Sequence, residues 1–346
     1  MSGISLPAAP PRVARGTRAS RLATMAGLLV LLVLVSMPWW AERSDMRVAT
    51  EFLYILALSQ MWNLLAGFGG LVSIGQQGFI GTGGYVLVLL SLKLGLDPFL
   101  VLPLCGLAAA LIALPTAALI FRLRGAYFAV GTWVVAEVFR LTVANITWLG
   151  AGTGTSLTTA LMGYRALTRD ALSLWFAVML GAGSVVLVYL LLRSRLGLAL
   201  TAIRDSERAS RSLGVRVGAL KLLVYILSAF GCGMVGALAY LAKLRVSPDA
   251  AFDINWTVIM IFTVVIGGIG SIEGPILGCL VFFLLRNLLS DYGSWYLIAL
   301  GAVAICLMLR APKGLWGLMT ARRDLRLFPV QRRLAAVQPD VRPDQS

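Results

Sequence analysis

Long apolar runs alternate with short polar ones along this chain. Leu22–Trp40, Phe52–Leu92, Pro98–Phe121, Ala171–Leu192, Leu222–Ala242, Ile254–Ile272 and Tyr292–Leu309 contain no Asp, Glu, Lys or Arg. A helix needs about 20 apolar residues to cross the hydrocarbon core of a bilayer. Phe52–Leu92 is long enough for two crossings and carries the glycine-rich Gly67–Gly70 at its middle. A transmembrane barrel would show alternating segments of roughly 10 residues, and no such segments are visible. The pattern predicts an all-α polytopic membrane protein with about 10 transmembrane helices. They fall at roughly 22–40, 48–66, 71–92, 98–121, 126–147, 171–192, 219–242, 254–270, 275–290 and 292–310. The run at 254–270 is short and reads as a broken or tilted span.

Composition agrees. Of the 346 residues, 59% are hydrophobic and 13% charged, against about 25% charged in a soluble domain. A water-soluble domain, a disordered chain and a disulfide scaffold are excluded. The four cysteines, Cys105, Cys232, Cys279 and Cys306, all lie in apolar runs without a CxxC, and read as small buried hydrophobes. There is no histidine, so the commonest acid/base and metal ligand is missing. No catalytic residue and no metal ligand is assigned.

The net charge of +15 suggests nucleic-acid binding until the basic residues are placed on the spans. Of the 30 Lys and Arg, 21 fall on the side that holds both termini, seven on the other, and Arg140 and Arg286 within spans. By the positive-inside rule both termini are cytoplasmic. The basic excess is then a topology signal with some attraction to anionic lipid, and no nucleic-acid partner is expected. A cleaved signal peptide is the rival reading of the N-terminus. Leu22–Trp40 is long for one, ends Pro-Trp-Trp and lacks an Ala-x-Ala site, so a retained span is expected. The chain divides into a cytoplasmic arm (1–21), a transmembrane domain (22–318) with a charged loop at 193–221, and an Arg-rich cytoplasmic tail (319–346).

Three segments carry more than a generic bundle requires. In the 193–221 loop, Asp205 or Ser206 is placed to cap a short helix. Glu207 and Arg211 pair at i,i+4, Gly214 suits the C′ position, and Ala209 with Leu213 forms one apolar face. A short helix held at both ends by spans transmits a push, so Arg204, Asp205, Glu207, Arg208, Ala209 and Gly214 are candidate docking residues. The second segment is Gly67–Gly84, with eight glycines in eighteen residues. Such a stretch makes a poor uninterrupted helix. Non-helical backbone at membrane depth survives when covered by protein or lining a wet cavity, and broken helices aim backbone groups at substrates in transporters. Close packing of small residues is the other reading. Ser73, Gln76, Gln77 and, on the next span but one, Thr132 are candidate path residues. Gly67, Gly69, Gly70 and Gly78 are candidate gating glycines. The third segment, Gly267–Gly278, repeats the outline of the second, with Gly267, Gly268 and Gly270 in the same role.

Glu137 and Arg140 lie three apart on one helix face and are expected to form a local ion pair, either structural or in the path. Unpaired intramembrane acids of the kind an ion-coupled secondary transporter uses are largely absent. No GxxxxGK[ST] phosphate loop is present, so energy must come from outside the chain.

These motifs carry a resemblance. Ala202–Val215 followed by Lys221-Leu is similar to the coupling loop of bacterial ABC permeases for branched-chain amino acids. Asn63–Gly75 resembles the family's first signature. Arg122-Leu-Arg-Gly-Ala-Tyr-Phe-Ala129, Gly267–Gly278 and Ala311-Pro-Lys-Gly-Leu-Trp-Gly317 follow in the family's order. Two departures stand out: Gln76-Gln77 occupy a place where the family commonly has His, and Gly150–Gly154 is a loosened glycine stretch. The resemblance implies one inner-membrane permease subunit of an importer and no enzyme activity in this chain. It also implies a homologous permease, two cytoplasmic ATPases that bind the ATP, and a periplasmic binding protein as partners. No cofactor is implied for the chain itself. Branched-chain amino acids are the expected substrate, with urea, short amides or other amino acids as alternatives.

Overall fold

The computed structural model describes residues 13–14, 18–289, 295–311, 314–322, 327–328 and 333–334. Most of the expected N-terminal arm and of the C-terminal tail lies outside the described residues. The described residues are predominantly helical. Helix α1 is Arg18–Ser36, α2 Arg43–Asn63, α3 Gln76–Val88, α4 Leu102–Ile120, α5 Ala126–Ala144 and α6 Ala166–Arg193. Then follow α7 Arg195–Asp205, α8 Glu207–Ser212, α9 Val217–Lys243, α10 Pro248–Ala251, α11 Asn255–Gly267, α12 Glu273–Leu289, α13 Trp295–Arg310 and α14 Gly314–Arg322.

Eight helical stretches among the described residues are long and apolar enough to span a bilayer: Arg21–Trp39, Arg43–Phe68, Leu102–Ile120, Ala126–Ala144, Ala166–Arg193, Val217–Lys243, Pro248–Gly267 and Gly301–Thr320. Two of the ten expected spans are shorter. The 71–92 run is helical only from Gln76, because Leu71–Gly75 is irregular, and α12 has 17 residues. The α2 span is lengthened past Asn63 by a wide turn, Leu64–Phe68.

The core lies where α2, α3, α4 and α9 meet, with α6 against α2 and α11 against α12. Burial follows this order: 78% of the α2 span is inside the chain and 67% of α9, but 6% of α1. The α3–α9 contact is close. A Cβ on Gly83 would overlap the Gly233 carbonyl, and one on Gly236 the Ile80 carbonyl. The two backbones touch through small residues, which is how helices associate where lipid removes the hydrophobic drive. An ion pair, Arg286 to Glu51 at 2.7 Å, ties α12 to α2.

On the side where α5 ends and α6 begins, strand β2 (Thr155–Ser156) pairs antiparallel with β3 (Arg245–Val246). On the other side β1 (Val13–Ala14) pairs with β4 (Arg333–Leu334), the first and last of the described segments. Cys105, Cys232 and Cys279 are buried as expected, whereas Cys306 is exposed. It lies on the outward side of α13, a helix at the edge of the bundle, so an apolar run alone did not imply burial within this chain.

Candidate functional site

The two glycine-rich segments meet. The first leaves α2 at Asn63, and the second joins α11 to α12 through Gly268 and Gly270, with φ of 132° and 76°. Asn63 clamps them: its Nδ2 donates to the Ser271 carbonyl at 2.8 Å and its Oδ1 accepts the Gly270 N–H at 2.9 Å. One turn earlier, Gln60 Nε2 donates to the Ile272 carbonyl at 2.8 Å. A Cβ on Gly67 would sit 2.7 Å from the Gly270 nitrogen, so a larger residue cannot occupy this crossing without moving the second break. The non-helical backbone here is covered by protein and bonded by side chains, the condition under which such backbone is tolerated within a membrane protein.

The other hinge glycines have separate surroundings. A Cβ on Gly69 would meet the Leu65 carbonyl at 2.7 Å, and one on Gly78 would meet Ala136 of α5 at 3.1 Å. Gly70 has a φ of 67° with open space around it, and Gly267 lies against the Gly274 carbonyl.

The candidate polar residues are all buried, and each reaches a different neighbour. Ser73 accepts the Gly75 N–H on its hydroxyl at 3.2 Å, while its carbonyl accepts Trp62 Nε1 at 2.9 Å. Thr132 Oγ1 accepts the Ile74 N–H at 3.0 Å and donates to the Ala129 carbonyl. Gln76 turns toward α9, where Cys232 Sγ lies 3.4 Å from its Oε1, and its Nε2 has no partner among the described atoms. Gln77 turns toward α11 and accepts Thr257 Oγ1 at 2.5 Å. Consecutive helical positions diverge by about 100°, which is why the two glutamines part. Thr132 and Ile74 therefore link the irregular segment to α5.

The charged loop holds two helices where one was expected. Ser194 caps α7, accepting the Leu196 N–H at 3.2 Å, and Ser206 caps α8, accepting the Ala209 N–H at 3.3 Å. Asp205 is the last residue of α7, exposed, and is not the cap. Glu207 takes Arg211 and Lys221, both at 2.7 Å. The hydrogen bond from Lys221 holds the Glu207 carboxyl below the ordinary carboxylate range; burial opposes it, and the charges of Lys221, Arg211 and Arg124 add to the lowering. Gly214 ends α8 at a φ of 82°, a conformation in which a Cβ is strained. Arg208 and Ala209 are exposed and Leu213 is 81% exposed, while Ser210 faces inward. The expected apolar face thus points away from the rest of the chain.

Arg204 behaves differently from its neighbours. Its Nη1 donates to the Gly67 carbonyl at 3.1 Å and lies against Gly270. The loop therefore touches the crossing of both glycine breaks. Beside this contact opens a cleft of about 910 Å³, lined by Phe68, Arg193, Arg195, Arg204, Glu273 and Trp316 among others. Sequence reasoning missed α7, the inward reach of Arg204 and the Asn63 clamp. A lone Asn in an apolar run, immediately before a glycine cluster, was the available signal for the last.

The Glu137–Arg140 pair forms as expected, with Arg140 Nη2 2.5 Å from Glu137 Oε1, and a third member joins it: Arg140 Nη1 reaches Asp249 of α10 at 2.6 Å.

Broken, side-chain-clamped helices inside a multi-pass bundle are a backbone arrangement that membrane transporters use. Residues 44–311 match the family model described as the branched-chain amino acid transport system permease component, and the chain belongs to that family. It is 30% identical over 342 residues to the high-affinity branched-chain amino acid transport system permease protein LivM of Salmonella typhimurium, covering 92% of this chain and 79% of that protein. Against LivM of Escherichia coli the identity is 29% over 326 residues, covering 87% and 76%. A shorter stretch, 129 residues covering 34% of this chain and 39% of the relative, is 33% identical to the ribose import permease protein RbsC of Escherichia coli. No solved structure matches.

Proposed function

We propose that this chain is the permease subunit of an ABC importer in the bacterial inner membrane. With a homologous permease it forms the path for branched-chain amino acids that a periplasmic binding protein delivers. Two cytoplasmic ATPases supply the energy, so ATP binding and hydrolysis take place in those partners and this chain performs no catalysis.

One observation carries the reading: the α7–α8 loop presents an unpartnered face outward and, through Arg204, holds the carbonyl of Gly67 inward. A partner that seats on Arg208, Ala209 and Leu213 would move α8, and Lys221 and Glu207 fasten α8 to the start of α9. Arg204 then carries the displacement to the point where both glycine breaks cross. The Ile74–Thr132 bond carries it onward to α5. Ser73 and Thr132 act as the joint between hinge and helix. Gln76 and Gln77 hold α3 against α9 and α11, and they enter the path when the hinge opens. Gly67, Gly69, Gly70, Gly78, Gly267, Gly268 and Gly270 permit that movement.

Leucine uptake into cells lacking this chain, with and without a plasmid copy, tests the reading. Uptake should fall at least tenfold and return with the plasmid, and isoleucine and valine should compete whereas urea should not. Unchanged leucine uptake together with lost urea uptake would replace the substrate assignment.

A further inference from the structure

Helix α5 is long and apolar enough to span the membrane, yet 17% of it is buried within the chain. One side packs on α3 through Thr132 and Ala136. The other side exposes Val130, Trp133, Val134, Val138 and Leu141. Among these sit Glu137, 42% exposed, and Arg140, 29% exposed, and Asp249 beside them is 78% exposed. Glu137 lies eleven residues from Ala126, about 16 Å along the helix axis at 1.5 Å per residue, and seven residues from Ala144. By span length Glu137 falls within the membrane-crossing part of α5, with Arg140 and Asp249 toward its β2–β3 end. Ionised side chains at such depth face a protein interior or a water-filled cavity, because hydrocarbon does not solvate them. The exposed side of α5 is therefore not a lipid face.

The group has a definite chemistry. Arg140 binds Glu137 through Nε, 2.9 and 3.1 Å from the two carboxylate oxygens, and through Nη2 at 2.5 Å, while Nη1 takes Asp249 at 2.6 Å. One guanidinium between two carboxylates leaves one negative charge in excess. A planar guanidinium matches a carboxylate, and two flanking carboxylates match an ammonium. A free α-amino acid carries both groups on one carbon. We propose that Glu137, Arg140 and Asp249 form a contact site for zwitterionic α-amino acids on the aqueous path. The substrate carboxylate takes Arg140, its ammonium takes Glu137 and Asp249, and its aliphatic side chain lies along Val134 and Val138. This rests on the reading of the chain as an amino-acid permease. The exchange keeps every charged group beside an opposite charge and leaves the net charge unchanged, since bonds within the triad are replaced by bonds to substrate. Competition from the triad's own pairing keeps binding weak, which a path requires for release. Asp249 belongs to α10 and the other two to α5, which hangs on the hinge through Thr132. Movement of the hinge therefore opens or closes the triad.

The test uses the assembled transporter in membranes, with exposed Cys306 replaced by Ser. A membrane-impermeant, positively charged methanethiosulfonate is added from the periplasmic side to Val138→Cys, and to Leu28→Cys on α1 as a lipid-facing comparison. Val138→Cys should react, Leu28→Cys should not, and leucine-loaded binding protein with ATP should slow the reaction at least threefold. In parallel, Glu137→Gln/Arg140→Gln should assemble normally and lose at least tenfold in leucine uptake. If the wild-type transporter takes up leucine while Val138→Cys stays unreactive, or while the double variant transports normally, the site assignment falls alone. If the wild type takes up no amino acid, the functional reading falls and the site assignment with it.

Discussion

Asn63 illustrates how much of this molecule hangs on single side chains. Its amide spends a donor and an acceptor on two backbone atoms more than 200 positions away, Ser271 O and Gly270 N. Asn63→Leu keeps the branched shape and removes both bonds, leaving two backbone groups unpaired at a cost of about 1–3 kcal/mol each. The purified variant should melt well below the wild type and transport poorly, and an unchanged melting curve would show that the clamp carries no weight. Glu207 makes a prediction in pH. Its carboxyl is held below the ordinary range by Lys221 first, then by the charges of Lys221, Arg211 and Arg124. A depressed folded-state value contributes stability above the unfolded carboxylate's titration, and that contribution is lost as pH falls through the folded value. The anchoring of α8 should thus be complete at neutral pH and fade in acid, below the usual carboxylate range. Hydrogen exchange at the Ala209 and Leu213 amides, corrected for intrinsic rates, should show this step in the wild type and lack it in Glu207→Gln. A step of the same size in both would assign it elsewhere. The ion pair of Glu137 with Arg140, the N-cap preference around Ser206 and the Gly214 stop were legible in the sequence, because each depends on residues within one or two turns. The Asn63 clamp and the third charge, Asp249, were not, because spacing along the chain says nothing about contacts 109 or 207 positions apart.

Among the elements, α3 and α9 pack so closely that each presents glycine to the other's backbone. Gly83→Leu should abolish assembly or leave an aggregating protein, because the Gly233 carbonyl cannot retreat without breaking α9. Gly27→Leu, with no atom within 4 Å of its would-be Cβ, should be tolerated; size-exclusion profiles of the two variants in detergent compare them directly, and equal tolerance would refute the packing role. The length of the apolar runs located most spans, since a bilayer demands such runs and little else produces them. It mislocated the start of α3 because Leu71–Gly75 is as apolar as a helix while its backbone is irregular. It missed α7 for a related reason. Gly197, Leu200 and Ile203 turn inward, so the helix reads as a weak continuation of α6, and only the Ser194 cap marks the corner between them. That the two glycine segments break helices was readable from composition. That they cross each other, under Arg204, was a property of the packed bundle.

At the scale of the whole molecule, the proposed function asks one thing of the basic residues and the hinge: that the charged loop lie on the cytoplasmic side and act on the crossing of the broken helices, which it touches through Arg204. The pairing of β1 with β4 puts Val13–Ala14 and Arg333–Leu334 on one side, and the orientation proposed from the distribution of Lys and Arg makes that side the cytoplasm. A reporter fused after Thr320 should be active only in its cytoplasmic form; periplasmic activity would invert the orientation and detach the loop from any ATPase. The most direct measurement is leucine uptake into proteoliposomes holding this chain, its homologous permease and the ATPases, with the binding protein outside and ATP enclosed or omitted. The account predicts uptake that requires enclosed ATP and the binding protein, and that Gly214→Val suppresses while ATP hydrolysis continues. Uptake that runs on an imposed ion gradient without ATP, or that proceeds unchanged in Gly214→Val, would contradict it.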